Sequence, residues 1–148
     1  MLIKLFEENK PIDEVLFYDT GMEFNSIYHN RDRIKILLEQ KKVKYTELTG
    51  ERHFLYDMFC KPVKHRNQED KKYPYHYGYG WCGKERWATS QKTSTITRYL
   101  KKRYPNCEIY EYVGIAFDEL DRVKDNPNKL YPLIELRMTE ADCLQYCY

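Results

Sequence analysis

The sequence predicts a single domain with an α/β fold and a mainly parallel sheet, and three observations support this prediction. The chain has 148 residues, the length of one ordinary domain, so residues 1–148 are predicted to form a single domain. An apolar run at 15–20 without clean alternation is typical of a strand buried on both faces, and runs at 43–49 and 108–117 predict two further strands. Helical patterns lie between these runs, and such alternation is typical of a parallel sheet.

The first half of the chain is predicted to contain three helices around two strands. An apolar face predicts a helix over residues 2–9, and Pro11 ends it in a turn. A second helix is predicted over 26–41, with Asn25 or Ser26 as its N-cap. A short helix over 53–60 follows the second strand.

The second half begins with a long irregular stretch. Residues 61–88 are rich in proline and glycine and predict a long loop, of a length that usually carries function or is disordered. A helix is predicted over 90–104, with basic residues in its last turn. Residues 131–136 are predicted to be extended. Thr139 and Asp142 predict a capping box at the start of the last helix.

Composition and charge restrict the class of protein. The net charge of +2 is too small to indicate nucleic-acid or membrane binding by itself. No run of about 20 apolar residues occurs, so no membrane span is predicted, and the first residues lack the pattern of a signal peptide. Five cysteines, an odd number without the spacing of a disulfide scaffold, predict reduced thiols and a cytoplasmic protein.

Asp19, Thr20 and Gly21 come at the end of the first predicted strand. In open α/β sheets, ligands bind outside the carboxyl ends of the strands. Asp19 and Thr20 are therefore candidates to contact a ribose hydroxyl or a magnesium ion, and Gly21 permits a tight turn. The alternative interpretation is that these residues only end the strand.

The segment GYGWCGKERWATSQK, residues 78–92, brings two cations to the start of a helix. Lys92 is predicted to lie in the first turn of the helix over 90–104, and Arg86 just before it. The helix dipole disfavours cations there, whereas a bound anion would be held by backbone N–H groups and both side chains. The pattern predicts a phosphate or sulfate site, and the alternative is a solvated lysine with a surface arginine.

Two further patterns are less specific. Glu119 and Arg122, in GIAFDELDR, are spaced to pair on a helical turn. Cys82 is a candidate for an exposed reactive thiol, the alternative being a cysteine without a role. One set of residues has the ligand types of a zinc site, but its spacing matches no common zinc finger, so no metal site is predicted; the set is Cys60, His65, His76 and Cys82.

Four stretches, taken together and in order, resemble the phosphoadenosine phosphosulfate reductase-like family of the PP-loop, or adenine nucleotide alpha-hydrolase-like, superfamily. They are VLFYDTGMEF, GYGWCGKERWATSQK, YVGIAFDELDR and LYPLIELRMTEADCLQYC. They extend over most of the chain, and their combination is specific although no single stretch is. The resemblance implies a Rossmann-like, HUP-type fold with three α/β/α layers and a twisted, mainly parallel sheet.

The resemblance also implies a function in sulfur metabolism. Family members bind phosphoadenosine phosphosulfate, adenosine phosphosulfate or ATP, and they reduce sulfonucleotides to sulfite with thiol donors or transfer sulfur after cleaving ATP. Arg86 and Lys92 would neutralise the phosphate or sulfate, while Asp19 and Glu119 would position the ribose or a magnesium ion. The implied partners are the nucleotide and a thiol donor protein. The implied nucleotide-binding residues are Asp19, Thr20, Gly21, Arg86, Lys92, Gly114, Glu119 and Arg122.

The sequence departs from the family pattern in three places. The first strand and the PP-loop of the type Ser-Gly-Gly-x-Asp-Ser do not occur, and Ala88 stands where many relatives have a cysteine. The C-terminal cysteine segment of many members does not occur either, so no iron–sulfur cluster is expected. We therefore expect a fragment, a mis-started gene or a domain completed by a partner chain, weak or inactive in catalysis alone. A homodimer is the other expected assembly.

A rival hypothesis assigns a different class of function. Residues 61–81, KPVKHRNQEDKKYPYHYGYGW, interleave basic and aromatic residues in a way that suits stacking on single-stranded nucleic acid. The alternative is thus a non-catalytic module, derived from the same fold, that associates with nucleic acid or with protein. Glu69, Asp70 and the low net charge weigh against it.

Overall fold

The computed structural model describes residues 1–65, 72–80 and 87–147, and it confirms a mixed α/β class. The chain divides into two compact units, Ile12–Pro105 and Met1–Pro11 with Asn106–Tyr148, which we describe separately. The prediction of a single domain stays a prediction. The elements are α1 (Leu2–Glu7), β1 (Glu14–Asp19), α2 (Asn25–Gln40), β2 (Lys44–Thr49), α3 (Phe54–Phe59), β3 (Pro62–Lys64), β4 (Tyr75–Tyr77), α4 (Trp87–Arg103), β5 (Glu111–Tyr112), a 3-10 helix (Phe117–Arg122), β6 (Lys129–Leu130), α5 (Pro132–Glu135) and α6 (Glu140–Cys147).

The larger unit, Ile12–Pro105, is built on a parallel pair of strands. β1 and β2 pair in register from Glu14 opposite Lys44 to Asp19 opposite Thr49. A parallel pair needs a crossover connection, and α2 supplies it. Leu38, on the inner face of α2, is fully buried. β1 is half-buried along most of its length rather than buried on both faces as predicted.

The start of α2 differs from the prediction. Phe24 is the N-cap residue, and no side chain caps the helix, so the assignment of Asn25 or Ser26 as N-cap is wrong. Phe24 has an extended backbone, and the helix begins at Asn25. The local turn that precedes Phe24 sets this boundary, because hydrogen bonds within residues 19–23 fix the direction of the chain before the helix.

The stretch predicted as a long loop contains an antiparallel hairpin. β3 and β4 pair with Pro62 opposite Tyr77 and Lys64 opposite Tyr75. The prolines do not prevent pairing, since Pro62 is the first residue of its strand and Pro74 precedes the other, and both positions tolerate proline. The irregular composition of the sequence concealed these two short strands.

The smaller unit contains a second parallel pair, between β5 and β6. The strand predicted over 108–117 is much shorter, at Glu111–Tyr112, and the chain then turns into the 3-10 helix. Residues 131–136 are not extended as predicted, because α5 occupies Pro132–Glu135. Proline at the first position of a helix has a suitable backbone angle and no N–H to satisfy. The core of this unit includes Leu5, Ile115, Ala116 and Leu133.

The predicted capping box of α6 is confirmed. The backbone N–H of Thr139 donates to Asp142 Oδ2 at 2.9 Å, and the N–H of Asp142 donates to Thr139 Oγ1 at 3.2 Å. The Thr139 hydroxyl also donates to Asp142 Oδ2, at 2.7 Å. This bond, followed by the one from the Thr139 N–H, lowers the pKa of Asp142, because both favour the charged carboxylate. Among the helices that the structure describes, none has the length and apolar character needed to cross a membrane.

Candidate functional site

The candidate site in the larger unit lies at the carboxyl ends of β1 and β2. Because the strands are parallel and Asp19 pairs with Thr49, the segments that follow them begin side by side. We call residues 19–24 and 49–53 the carboxyl edge. The ends of parallel strands are the usual place for ligands in open α/β sheets.

A tight turn organises the first segment of the carboxyl edge. Asp19 Oδ1 accepts hydrogen bonds from the Gly21 N–H at 2.7 Å and from the Tyr28 hydroxyl at 2.8 Å. Thr20 Oγ1 accepts from the Met22 N–H at 3.1 Å and donates to Glu23 at 2.9 Å. Gly21 has a φ of 73°, which favours glycine. The turn predicted from the sequence is confirmed, and its polar groups are held in place.

His53 belongs to the second segment and was not predicted as a site residue. It is the N-cap of α3, where its Nδ1 accepts from the Leu55 N–H at 3.3 Å. A neutral imidazole that accepts at Nδ1 carries its proton on Nε2. That Nε2 lies 3.9 Å from the position that a Cβ on Gly21 would take, so it faces the Asp19 turn as a donor. The signal in the sequence that could have identified His53 is its position four residues after the end of β2.

A buried carboxylate fixes the elements behind the carboxyl edge. Asp57, in α3, is fully buried, and it accepts from Arg52 Nε at 3.0 Å and from the Gln91 side chain of α4. Burial and, to a smaller extent, the charge of Asp57 raise the pKa of Tyr18 in β1. This arrangement joins α3, α4 and the sheet, and sequence analysis could not find it because its members are far apart in the chain.

α4 runs from the carboxyl edge toward the opposite end of the strands. Gln91 contacts Asp57, Thr95 hydrogen-bonds Tyr18, and Arg98 forms an ion pair with Glu51. Further along the helix, Tyr99 reaches Glu14 at the other end of β1. The N-terminal half of α4 therefore lies beside the carboxyl edge, and Arg98 reaches the edge from the C-terminal half.

The predicted cations of the anion site are only partly described. Lys92 is the sixth residue of α4 and lies beyond its first turn, so the predicted first-turn position is wrong. Its side chain is exposed and forms no hydrogen bond or ion pair with another described residue. Arg86 and Cys82 lie outside the described residues.

The remaining predicted site residues lie in the smaller unit. Glu119 and Arg122 form an ion pair within the 3-10 helix, which confirms the pairing expected from their spacing. Asp118 Oδ1 accepts from the Glu140 N–H at 3.0 Å and so ties this helix to α6. Gly114 follows β5 and is exposed, and a Cβ there would lie 3.3 Å from Met1 Sδ. Their role in nucleotide binding stays a prediction.

The residues considered for zinc are also only partly described. The rings of His65 and His76 lie 4.9 Å apart, Cys60 is exposed, and Cys82 lies outside the described residues. Within the described ranges, no group of three or more histidine, cysteine or acidic side chains is placed to hold a metal ion.

The smaller unit also has a surface pocket of about 370 Å³. Its lining mixes charged and apolar side chains from α1 and from the last part of the chain: Lys4, Glu8, Leu136, Met138, Asp142, Gln145 and Tyr146. Lys4 pairs with Glu7 at 2.7 Å and lies 4.4 Å from the centre of the Tyr146 ring. None of the lining residues is one that the sequence analysis predicted for nucleotide binding.

Comparison with protein-family models, with curated proteins and with solved structures gave no significant match to this chain.

Because no matching protein indicates a ligand, the chemistry of the carboxyl edge is deduced from its own side chains. The edge offers the carboxylates of Asp19, Glu23 and Glu51, the hydroxyls of Thr20 and Thr49, and the Nε2 donor of His53, all able to bind polar ligands. Arg52 of the edge and Arg98 of α4 already have carboxylate partners, Asp57 and Glu51 respectively. An incoming anion would thus depend on cations without such partners, which is the role predicted for Lys92 and Arg86.

Proposed function

We propose that the chain is a phosphoadenosine phosphosulfate reductase-like domain that binds an adenylyl nucleotide at the carboxyl edge. The nucleotide would be phosphoadenosine phosphosulfate, adenosine phosphosulfate or ATP, used for sulfonucleotide reduction or for sulfur transfer. The observation that carries this proposal is the parallel β1–β2 pair, whose carboxyl ends present the ordered Asp19 turn and His53 side by side. The finer fold that we propose is Rossmann-like, of the HUP type.

Asp19 suits the ribose of such a ligand. Its Oδ1 already accepts from a hydroxyl, that of Tyr28, at 2.8 Å. A carboxylate has about four lone-pair sites in all, so it can accept further hydroxyl donors. The same turn places Thr20 next to it, and its rigidity would limit the entropy lost when a sugar binds.

Lys92 suits the phosphate or sulfate. It is exposed and lies in the half of α4 beside the carboxyl edge, one residue from Gln91. A side chain without an ion-pair partner among the described residues keeps its full charge available to a ligand. Arg86 is proposed as the second cation because it precedes this helix in the sequence.

The proposed roles are binding and orientation. Reduction of a sulfonucleotide to sulfite takes two electrons, which we assign to two thiols of a donor protein that are oxidised to a disulfide. Cys82 stays the candidate for a reactive thiol of this chain. His53 would act as a hydrogen-bond donor through Nε2, at the position where negative charge of the nucleotide would be held.

Calorimetric titration with adenosine bisphosphate tests the proposal. Replacing Lys92 or Arg86 with alanine should weaken binding by about tenfold or more, because each would lose a charge-assisted hydrogen bond of roughly 1.5–3 kcal/mol. Lys101→Ala is the matched control, since Lys101 is also exposed on α4 but lies in its last turn. It should leave the affinity unchanged. Equal affinity of wild type and both site variants would reject the proposed anion site.

A further inference from the structure

The β3–β4 hairpin exposes an unusual row of aromatic side chains. Successive residues of a strand point to opposite faces, so Tyr75 and Tyr77 share one face of β4. The fractions of Tyr75 and Tyr77 exposed to solvent are 43% and 66%, and Tyr73, two residues earlier, is exposed to 64%. The Tyr75 and Tyr77 rings meet edge to face at 5.5 Å. These rings are arranged together but are not used to build a core.

Lysines surround these rings. Lys64 pairs with Tyr75 across the hairpin and therefore shares its face. Lys72 Nζ lies 5.6 Å from the centre of the Tyr73 ring. In the sequence, residues 61–80 contain four lysines and one arginine against Glu69 and Asp70, so the stretch keeps a net positive charge. We call Lys64, Lys72, Tyr73, Tyr75 and Tyr77 the tyrosine face.

We propose that the tyrosine face binds single-stranded nucleic acid. Exposed aromatic rings stack on bases of any sequence, and neighbouring lysines contact the phosphates between them. Tyrosine is also enriched in protein interfaces, but lysine is depleted there, so the two lysines are the feature that favours nucleic acid over a protein partner. Duplex nucleic acid fits less well too, because its bases are already stacked on each other and cannot lie on the rings. The inference is independent of the nucleotide site, since the residues of the two sites do not overlap.

Fluorescence anisotropy with labelled oligothymidine and oligouridine tests this inference. The double variant Tyr75→Ala/Tyr77→Ala should bind about tenfold or more weakly at roughly 50 mM salt. The matched control is Tyr110→Ala, which removes an equally exposed tyrosine, at 54%, from another part of the chain and should bind as wild type. Tyr75→Phe/Tyr77→Phe keeps the ring faces and should retain wild-type affinity even if the alanine variant folds poorly.

The salt dependence of binding separates the phosphate contacts of the lysines from the stacking of bases on the tyrosines. Lys64→Ala/Lys72→Ala should flatten the plot of log affinity against log salt by about 1.4 in slope, because each phosphate contact contributes about 0.7 for single strands. The proposal is overturned if wild type fails to bind either oligonucleotide at low salt, or if the tyrosine variants bind as wild type does. It is also overturned if they change only the oligomeric state, which would assign the face to protein contacts. Titration of the same variants with adenosine bisphosphate should be unchanged, so failure here leaves the nucleotide site standing.

Discussion

Replacing Gly78 with alanine is expected to destabilise the larger unit by about 4 kcal/mol. Gly78 has a φ of 71°, where an alanine costs roughly 1–2 kcal/mol. Its new Cβ would also lie 2.1 Å from the carbonyl oxygen of Met58 and 2.6 Å from Phe59 Cα. Both contacts are with the backbone, so no side chain can rotate away. The overlap adds a further cost of about 1–3 kcal/mol, since the end of α3 must move.

The consequence should be local as well as global. The Gly78 N–H donates to the carbonyl of Lys61 at 2.7 Å and so joins the end of β4 to the start of β3. Displacing Gly78 should loosen this pairing and expose the Gly78 N–H to solvent. Chemical denaturation measures the global effect, and hydrogen exchange of the Gly78 amide measures the local one.

Gly80→Ala is the matched control. Gly80 has a similar φ of 67°, but a Cβ there would meet no heavy atom of the described residues within 4 Å. Gly80→Ala should therefore lose only the conformational part of the stability, roughly 1–2 kcal/mol. If both alanine variants lose the same stability, the close approach of Gly78 to α3 does not contribute, and the structural account of this turn is wrong.

The features that sequence analysis predicted correctly are those set by neighbouring residues. β1 and β2 follow from short runs of residues and α2 from its helical periodicity, while the Asp19 turn and the α6 capping box follow from residues within four positions of each other. For the turn and the capping box, the hydrogen bonds that fix the structure connect residues that a reader of the sequence also sees together, whereas the β1–β2 pairing joins residues as distant as Glu14 and Lys44. For these features local preference and tertiary packing agree.

The features that were missed depend on residues distant in sequence. α4 is assigned from Trp87 instead of residue 90, and Trp87 packs against Phe54, with ring centres 4.8 Å apart, and stacks on Tyr79. This packing of Trp87 accompanies the earlier helix start that moves Lys92 out of the first turn. His53 and Asp57 were missed for the same reason, since their importance comes from Gly21 and Gln91.

Replacing Glu14 is expected to lower the stability of the larger unit, and this is the second large effect that we predict. The Glu14 side chain is only 7% exposed, and it accepts hydrogen bonds from Lys44 at 2.8 Å, from Tyr99 at 2.7 Å and from Tyr104 at 2.8 Å, as well as from Thr46. It thereby holds the C-terminal end of α4 to the amino ends of β1 and β2. Glu14→Ala should cost about 3 kcal/mol, because four donors lose a charged acceptor. The 41% exposure of Lys44 limits the loss, since water can solvate that group.

The effect of pH identifies the charge as the cause. Burial alone would raise the pKa of Glu14, but the hydrogen bonds from Lys44, Thr46, Tyr99 and Tyr104 outweigh it and lower the pKa from 4.5 to about 2. A lowered folded-state pKa stabilises the protein fully above the unfolded value, and that stabilisation is lost as pH falls from 4.5 toward 2. The hydrogen bond to Glu14, followed by those to Tyr99 and Tyr104, raises the pKa of Lys44.

Urea denaturation of wild type and Glu14→Gln at several pH values tests this argument. The glutamine variant should be less stable than wild type by about 2–3 kcal/mol at neutral pH, and the difference should shrink toward zero as pH approaches 2. Glu39→Gln is the control, because Glu39 is exposed on α2 in the same unit; it should change stability by less than about 0.5 kcal/mol. A difference for Glu14→Gln that stays constant between pH 7 and pH 2 would mean that side-chain shape, and not the buried charge, holds α4 on the sheet.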